Sequence, residues 1–255
     1  MGFQIRKLTD KGKILRFLER DRVYAAYAIG DLEPCLFPLC RWFGVEEDGE
    51  LRSLALLFGG LEPDALLTFG ASEGLALILG SALKPERAYF SCRREHLPVV
   101  EAFYALDGPA MMVRMVLTDF HPVPGPVLRL DLSHLRALEG LYRFGGGDAF
   151  RPYQLAQGVF YGVEVRGRLV AVAGTHLISP AYGVAAVGNV FTHPAYRRRG
   201  YAIACTSAVV EEILAEGIGT IVLNVDERNV QAMRIYRKLG FREHCRFVEA
   251  IGVRC

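Results

Sequence analysis

The chain has 255 residues, enough for one large domain or two of ordinary size, and just over half are apolar, ample for a packed core. Its formal net charge is only +2, so no global field draws it to nucleic acid or to an anionic membrane. Lysine is confined to Lys7, Lys11, Lys13, Lys84 and Lys238, and the arginines form no sustained basic stripe interleaved with aromatics, which argues against a nucleic-acid module.

Mean hydropathy is positive, yet no uninterrupted apolar run approaches the ~18 residues of a spanning helix. The opening Met1–Lys7 lacks the basic-then-apolar layout of a signal peptide, so a cytoplasmic protein with no membrane partner is expected. The cysteines (35, 40, 92, 205, 245, 255) include no Cys-x-x-Cys pair, and no histidine pair has zinc spacing; reduced thiols and no metal are expected.

Taken in order, Phe3–Leu8 reads as a strand, and Asp10 is placed to cap a helix running to about Arg20. Tyr24–Asp31 continues as a second helical piece, and residues 33–44, with Pro34, Pro38 and Trp42, read as an irregular aromatic loop. Trp42–Val45 and Leu51–Gly59 are strands joined across Glu46-Glu47-Asp48-Gly49, a hairpin signal. Leu66–Phe69 is a strand, followed by Gly70–Gly74 and a helix to about Leu83; then come a strand at Glu86–Cys92, a helix near Pro98–Leu106 and a strand at Met111–Leu117. The prolines of His121–Pro126 cannot continue a helix or a central strand, so the boundary is placed there: 1–122, a linker at 123–126, and 127–255.

The second half opens with a strand at Val127–Leu132, a helix from a Ser133 cap through Tyr142, the breaker Gly145-Gly146-Gly147, and a short helix at Phe150–Gln157. Strands Val159–Val165 and Leu169–Ile178 flank a turn at Arg166-Gly167, and Tyr182–Thr192 forms the central strand, closed by His193-Pro194. After Gly200, Tyr201–Leu214 has helical spacing and stops at Gly217; a buried strand to Val225, a helix Asn229–Leu239 and a strand Phe241–Val253 complete the chain.

Arg197-Arg198-Arg199-Gly200-Tyr201-Ala202 therefore stands where a strand hands over to a helix N-terminus, with unpaired N–H groups, partial positive charge and no bulky side chain at Gly200 or Ala202. Such a place suits a pyrophosphate. Arg-x-x-Gly-x-Ala after a strand resembles the acyl-CoA loop of the GNAT-superfamily N-acetyltransferases. The run Asn229-x-x-Ala232-x-x-x-Tyr236-x-x-x-Gly240-Phe241, one strand later, resembles that family's second signature.

The resemblance implies a mixed α/β fold: a central, mostly antiparallel sheet flanked by helices. A shift of 132 residues places Tyr104 on Tyr236 and Gly108 on Gly240, so two such halves in tandem are expected, the first without the arginine-glycine loop. The resemblance also implies acetyl-CoA as co-substrate, no metal, and a small-molecule or peptide amine as acceptor, attacked directly. Val190, Phe191 and Thr192 are expected along the pantetheine arm. Arg197, Arg198, Arg199, Gly200, Tyr201 and Ala202 are expected at the pyrophosphate, with Asn229 and Tyr236 beside the cofactor and Tyr236 as general acid. Where the family carries a strand glutamate this chain has Ala186, and 182–192 holds no carboxylate. Glu164, His176 or a water held by Asn189 are the substitutes, unless proximity alone suffices. Tyr142, Phe144, Asp148 and Tyr153 are candidate walls of the acceptor site. The rival reading is a non-catalytic acyl-CoA-binding or sensor protein, which the missing carboxylate favours.

Overall fold

The computed structural model describes residues 3–147 and 150–255; Asp148 lies outside them. The chain divides into two compact units, Met1–Val113 with Cys245–Cys255, and Arg114–His244. These divisions fall at Val113 and His244, whereas the proline-rich stretch stands at 123–126. That stretch and the residues before it run over the second unit: Thr118 donates to the Gly240 carbonyl, His121 N–H to Leu239 O, and Val123 N–H to Ser207 Oγ. A Cβ at Gly240 would stand 1.6 Å from Asp119 O, and φ there is +98°, so this signature glycine is required by a close backbone approach.

The first unit begins with β1 (Gln4–Leu8) and α1 (Lys11–Leu18), whose N-cap Asp10 accepts from Lys13 N–H. After α2 (Ala26–Gly30) come β2 (Cys40–Glu47) and β3 (Glu50–Phe58). Asp48 and Gly49, at φ +51° and +82°, are the two left-handed residues that a two-residue hairpin turn demands. Next come β4 (Ala65–Gly70), α3 (Ser72–Leu77), β5 (Arg87–Arg93), α4 (Leu97–Glu101) and β6 (Tyr104–Leu117), whose first ten residues belong to this unit. The helix expected over Pro98–Leu106 thus ends at Glu101. Tyr104 opens a strand because its buried ring packs edge-on against Phe90 at 4.7 Å, and tertiary packing overrides local propensity.

The second unit comprises β7 (Leu128–Arg129), α5 (Leu135–Tyr142), α6 (Pro152–Gln157), β8 (Tyr161–Val165), β9 (Arg168–Ser179), β10 (Val184–Thr192), α7 (Tyr201–Ala215), β11 (Thr220–Asp226) and α8 (Val230–Lys238). Its strands lie in the order β11-β10-β9-β8-β7. Asp131, not Ser133, caps the entry to α5, accepting from Ser133 N–H at 2.8 Å at the head of a short 3-10 turn. α7 packs on β8, β9 and β10 through Ala204, Val209, Val210 and Ile213, while Leu138, Leu141, Leu155, Phe160 and Val172 form a second cluster.

The final strand, β12 (Phe241–Arg254), leaves the second unit and completes the first, whose order is β1-β2-β3-β4-β5-β12. Residues 247–253 pair antiparallel with 93–87 of β5. The order strand–strand–helix–strand–helix–strand recurs in both halves, and β4·β5 and β10·β11 are each a parallel pair among antiparallel neighbours. The residues matched by the 132-residue shift are not equivalent, however: Tyr104 begins a strand, whereas Tyr236 lies inside α8.

Two outcomes follow from the first unit. Removing residues 245–255 strips Phe247, Val248 and Ala250 from its core, and burying one such aromatic contributes about 2 kcal/mol. The truncated chain is expected to lose the protection of β3, β4 and β5 amides in hydrogen exchange; full protection would contradict the strand's role. Asp31 is 9% exposed, and burial raises its pKa from 3.8 to about 8. Its folded pKa lies above the unfolded one, so its contribution to stability is complete below 3.8 and is lost as pH rises through about 8. Asp31→Asn should raise the melting temperature at about pH 9 and leave it nearly unchanged at about pH 4.

Candidate active site at the strand ends of the second unit

β10 and β11 run in parallel register from Val184↔Thr220 to Val187↔Leu223, and there the ladder stops. Both strands continue, β10 to Thr192 and β11 to Asp226, so their ends stand apart. On its other side β10 stays paired with β9, through Phe191↔Val172 and Thr192↔Ala171, after a bulge between Gly188 and Phe191. Asn189 sits in that bulge at φ +53° and is buried. A bulge re-aims the strand and frees backbone groups, and Val190 has no partner in the β9 register. The Thr192 hydroxyl is also buried with no hydrogen-bond partner among the described residues. An extended chain carrying amides fits such an edge.

The turn beyond β10 leads into α7. Gly200, its N-cap, takes φ +78°, and a Cβ there would meet nothing within 4 Å. Arg198 is left-handed too, at φ +63°. Among the described residues no side chain caps α7, and no acid lies in its first turn; the first backbone bond made is Ala204 N–H to Gly200 O at 3.1 Å. The N–H groups of Tyr201, Ala202 and Ile203 therefore face outward at the positive end of a fifteen-residue helix. Arg197 reaches back to the Thr192 carbonyl at 3.3 Å, and Arg199 lies over the Tyr196 ring at 5.2 Å. The strand end and the anion-binding turn are thus contiguous.

The glycine breaker meets the same strand end. A Cβ at Gly146 would stand 2.7 Å from the Phe191 ring and one at Gly147 2.4 Å from Tyr142, so only glycine fits there. The Tyr142 hydroxyl donates to the Asn189 carbonyl at 2.8 Å, and the Phe144 and His193 rings are 4.2 Å apart. Tyr153, on α6, is exposed. His176 lies across Gly188, where a Cβ would meet its ring at 1.9 Å; burial lowers its pKa to about 4, so the imidazole is neutral near pH 7. Glu164 is exposed on β8 near the Arg166-Gly167 turn, opposite Leu169. Asn229 caps α8, its Oδ1 accepting from Ala232 N–H at 3.1 Å. Tyr236 is 8% exposed on α8, and burial raises its pKa to about 12.

The sequence reading did not find the bulge or the network behind it. Asn189 Nδ2 donates to Gln154 Oε1 and to Thr175 O, while Gln154 Nε2 donates to His176 O, tying α6 to both strands. The available signal was Gly188 inside an apolar strand, since a glycine in a strand interior often marks a bulge. Among the described residues no group of three or more metal-ligating side chains occurs, and no helix is long and apolar enough to cross a membrane.

Residues 130–241 match the model of the acetyltransferase (GNAT) family. Mycothiol acetyltransferase of Tsukamurella paurometabola is 33% identical over 106 residues, 40% of this chain and 36% of that protein. The [ribosomal protein bS18]-alanine N-acetyltransferase of Escherichia coli is 28% identical over 97 residues, 38% of this chain and 58% of that protein. The chain thus aligns with well under two thirds of either relative. A tandem GNAT protein from the clavulanic acid biosynthesis pathway shares the fold, with a TM-score of 0.58 at 13% identity over 98% of both chains. The loop at the head of α7 and the parted strands before it lie within the span, residues 130–241, that is similar to the acetyltransferase (GNAT) family.

Proposed function

We propose that this chain is an acetyl-CoA-dependent N-acetyltransferase that acts on a primary amine of a small molecule or peptide by direct attack. The observation that carries the reading is a parallel strand pair that parts at Val187↔Leu223 and opens onto an uncapped helix N-terminus. Gly200, Tyr201 and Ala202 offer N–H groups to the pyrophosphate, and Arg197, Arg198 and Arg199 add charge that anchors it. Val190, Phe191 and Thr192 offer backbone groups to the pantetheine amides as an added strand would. Bound there, acetyl-CoA supplies a thioester carbonyl to the attacking amine.

Tyr236 serves the departing sulfur. With a pKa of about 12 it keeps its proton throughout the neutral range. Full transfer to a thiolate with an ordinary pKa near ~8.5 is uphill, so the phenol acts chiefly as a hydrogen-bond donor to the developing charge. Asn229 supports it by fixing the start of α8. The amine proton passes to solvent, since an imidazole whose pKa burial lowers to about 4 is too weak a base to take it near pH 7, and orientation supplies much of the remaining rate. The relatives named for mycothiol and for an alanine of a ribosomal protein are consistent with either a small or a peptide acceptor.

The absence of a carboxylate from 182–192 favours a second reading, a protein that binds acyl-CoA without transferring it. The two part in one assay. Release of CoA thiol is followed with a panel of amines, for the wild type and Tyr236→Phe. Turnover lowered roughly 100-fold in the variant, with acetyl-CoA affinity unchanged, is expected of the enzyme. Tight binding with no transfer to any amine supports the sensor, and equal turnover removes Tyr236 from the chemistry.

A further inference from the structure

The first unit holds a cavity of about 380 Å³ at the carboxyl ends of its own parallel strand pair. β4 and β5 keep register from Ala65↔Tyr89 to Leu67↔Ser91 and then separate, as β10 and β11 do. Here the gap is stitched shut. His96 is 2% exposed, with Nδ1 2.9 Å from Thr68 Oγ1 and Nε2 2.9 Å from Gly70 O. Burial lowers its pKa, so it adds no charge near pH 7. The helix that follows, α3, continues as a π-helical turn through Ala82 and is shorter than α7, eleven residues against fifteen. What remains beside the stitch is a cavity of different chemistry.

Its wall is aromatic, formed by Phe17, Tyr24 and Phe69, and its rim carries Arg20, Arg52 and Arg93. Arg93 is ion-paired with Asp21 and stacks on Tyr24 at 4.3 Å, so that pair is neutral in itself. Arg20 places Nη1 on the Leu51 carbonyl at 3.2 Å and lies 4.7 Å from the centre of the Phe17 ring. The guanidinium is thereby held in one orientation, with its other nitrogens left to bond a guest. Arg52 contacts Glu47 and Glu50 at 3.3 and 3.4 Å, but all three are exposed, and such surface pairs yield readily to a better partner. Glu95, the remaining acid of the lining, makes no ion pair among the described residues.

We propose that this cavity binds a small carboxylate with an apolar or aromatic body. The carboxylate lies on Arg20 and Arg52, whose planar forks match it, and the body lies on Phe17 and Phe69. The volume is that of a small-molecule site, typically ~300–1,000 Å³. An α-amino acid and a simple aryl carboxylate share this chemistry, and Glu95 distinguishes them, since only the former brings an ammonium group to it.

The test is calorimetric titration of the full chain with L-phenylalanine, phenylacetate and phenethylamine. Saturable binding of L-phenylalanine or phenylacetate is expected, weakened about tenfold or more by Arg20→Gln or Arg52→Gln, the loss of one charge-assisted bond. Binding should be untouched by Gly200→Glu, which blocks the loop of the second unit. Tighter binding of L-phenylalanine assigns the ammonium to Glu95; tighter binding of phenylacetate assigns an aryl carboxylate. Absence of binding for both, equal binding of phenethylamine, or binding that Gly200→Glu abolishes and the arginine variants retain would overturn the proposal. Arg52 is exposed on a hairpin, so its variant keeps the fold and the test even where Arg20→Gln does not.

Discussion

A parallel ladder that stops four pairs after it starts is the constraint on which the second unit depends. Backbone N–H and C=O groups must be bonded somewhere. While β9 satisfies one side of β10, the other side is released beyond Val187, and the bulge at Asn189 turns the strand so that the release is abrupt. The network of Asn189, Gln154, Thr175 and Tyr142 holds the bulge in place and ties to it the helices that carry the glycine breaker. Without that network the strand would be free to straighten and re-pair, and the opening before α7 would close.

The two parallel pairs illustrate how one topology supports different chemistry. In the second unit the parted strands run into a long helix whose N-terminus has no side-chain cap among the described residues and no acid in its first turn. In the first, a buried histidine bridges the gap. The difference rests on few residues. Gly200 is open where a Cβ would meet nothing, whereas a Cβ at Gly70 would strike Arg52 O at 2.2 Å, so the glycine of the first unit serves packing rather than a ligand.

Much of this was legible in the sequence because the signals were local. The Asp48-Gly49 and Arg166-Gly167 turns, the Asn229 cap and the Gly200 and Gly217 ends of α7 each follow from a backbone conformation that few residues adopt. What was not legible was long-range. The helix read through Leu106 ended early because Tyr104 finds Phe90, and nothing local tells that β12 completes the sheet of the first unit. The site followed the same division: the phosphate loop stands in one contiguous stretch, whereas the bulge and its network join residues from 142 to 189. Tyr236 and Gly240 belong to one signature, yet the glycine is accounted for by the close approach of Asp119 and a φ of +98°.

The central claim is that the turn at Gly200 binds the cofactor's pyrophosphate, and calorimetric titration with acetyl-CoA tests it most directly. The account predicts binding of about micromolar affinity for the wild-type chain. It predicts loss of that binding in Gly200→Glu, whose side chain enters open space and sets a negative charge before the helix N-terminus. A folded wild-type chain that takes up no acetyl-CoA, or a folded Gly200→Glu variant that binds it equally well, would contradict the account.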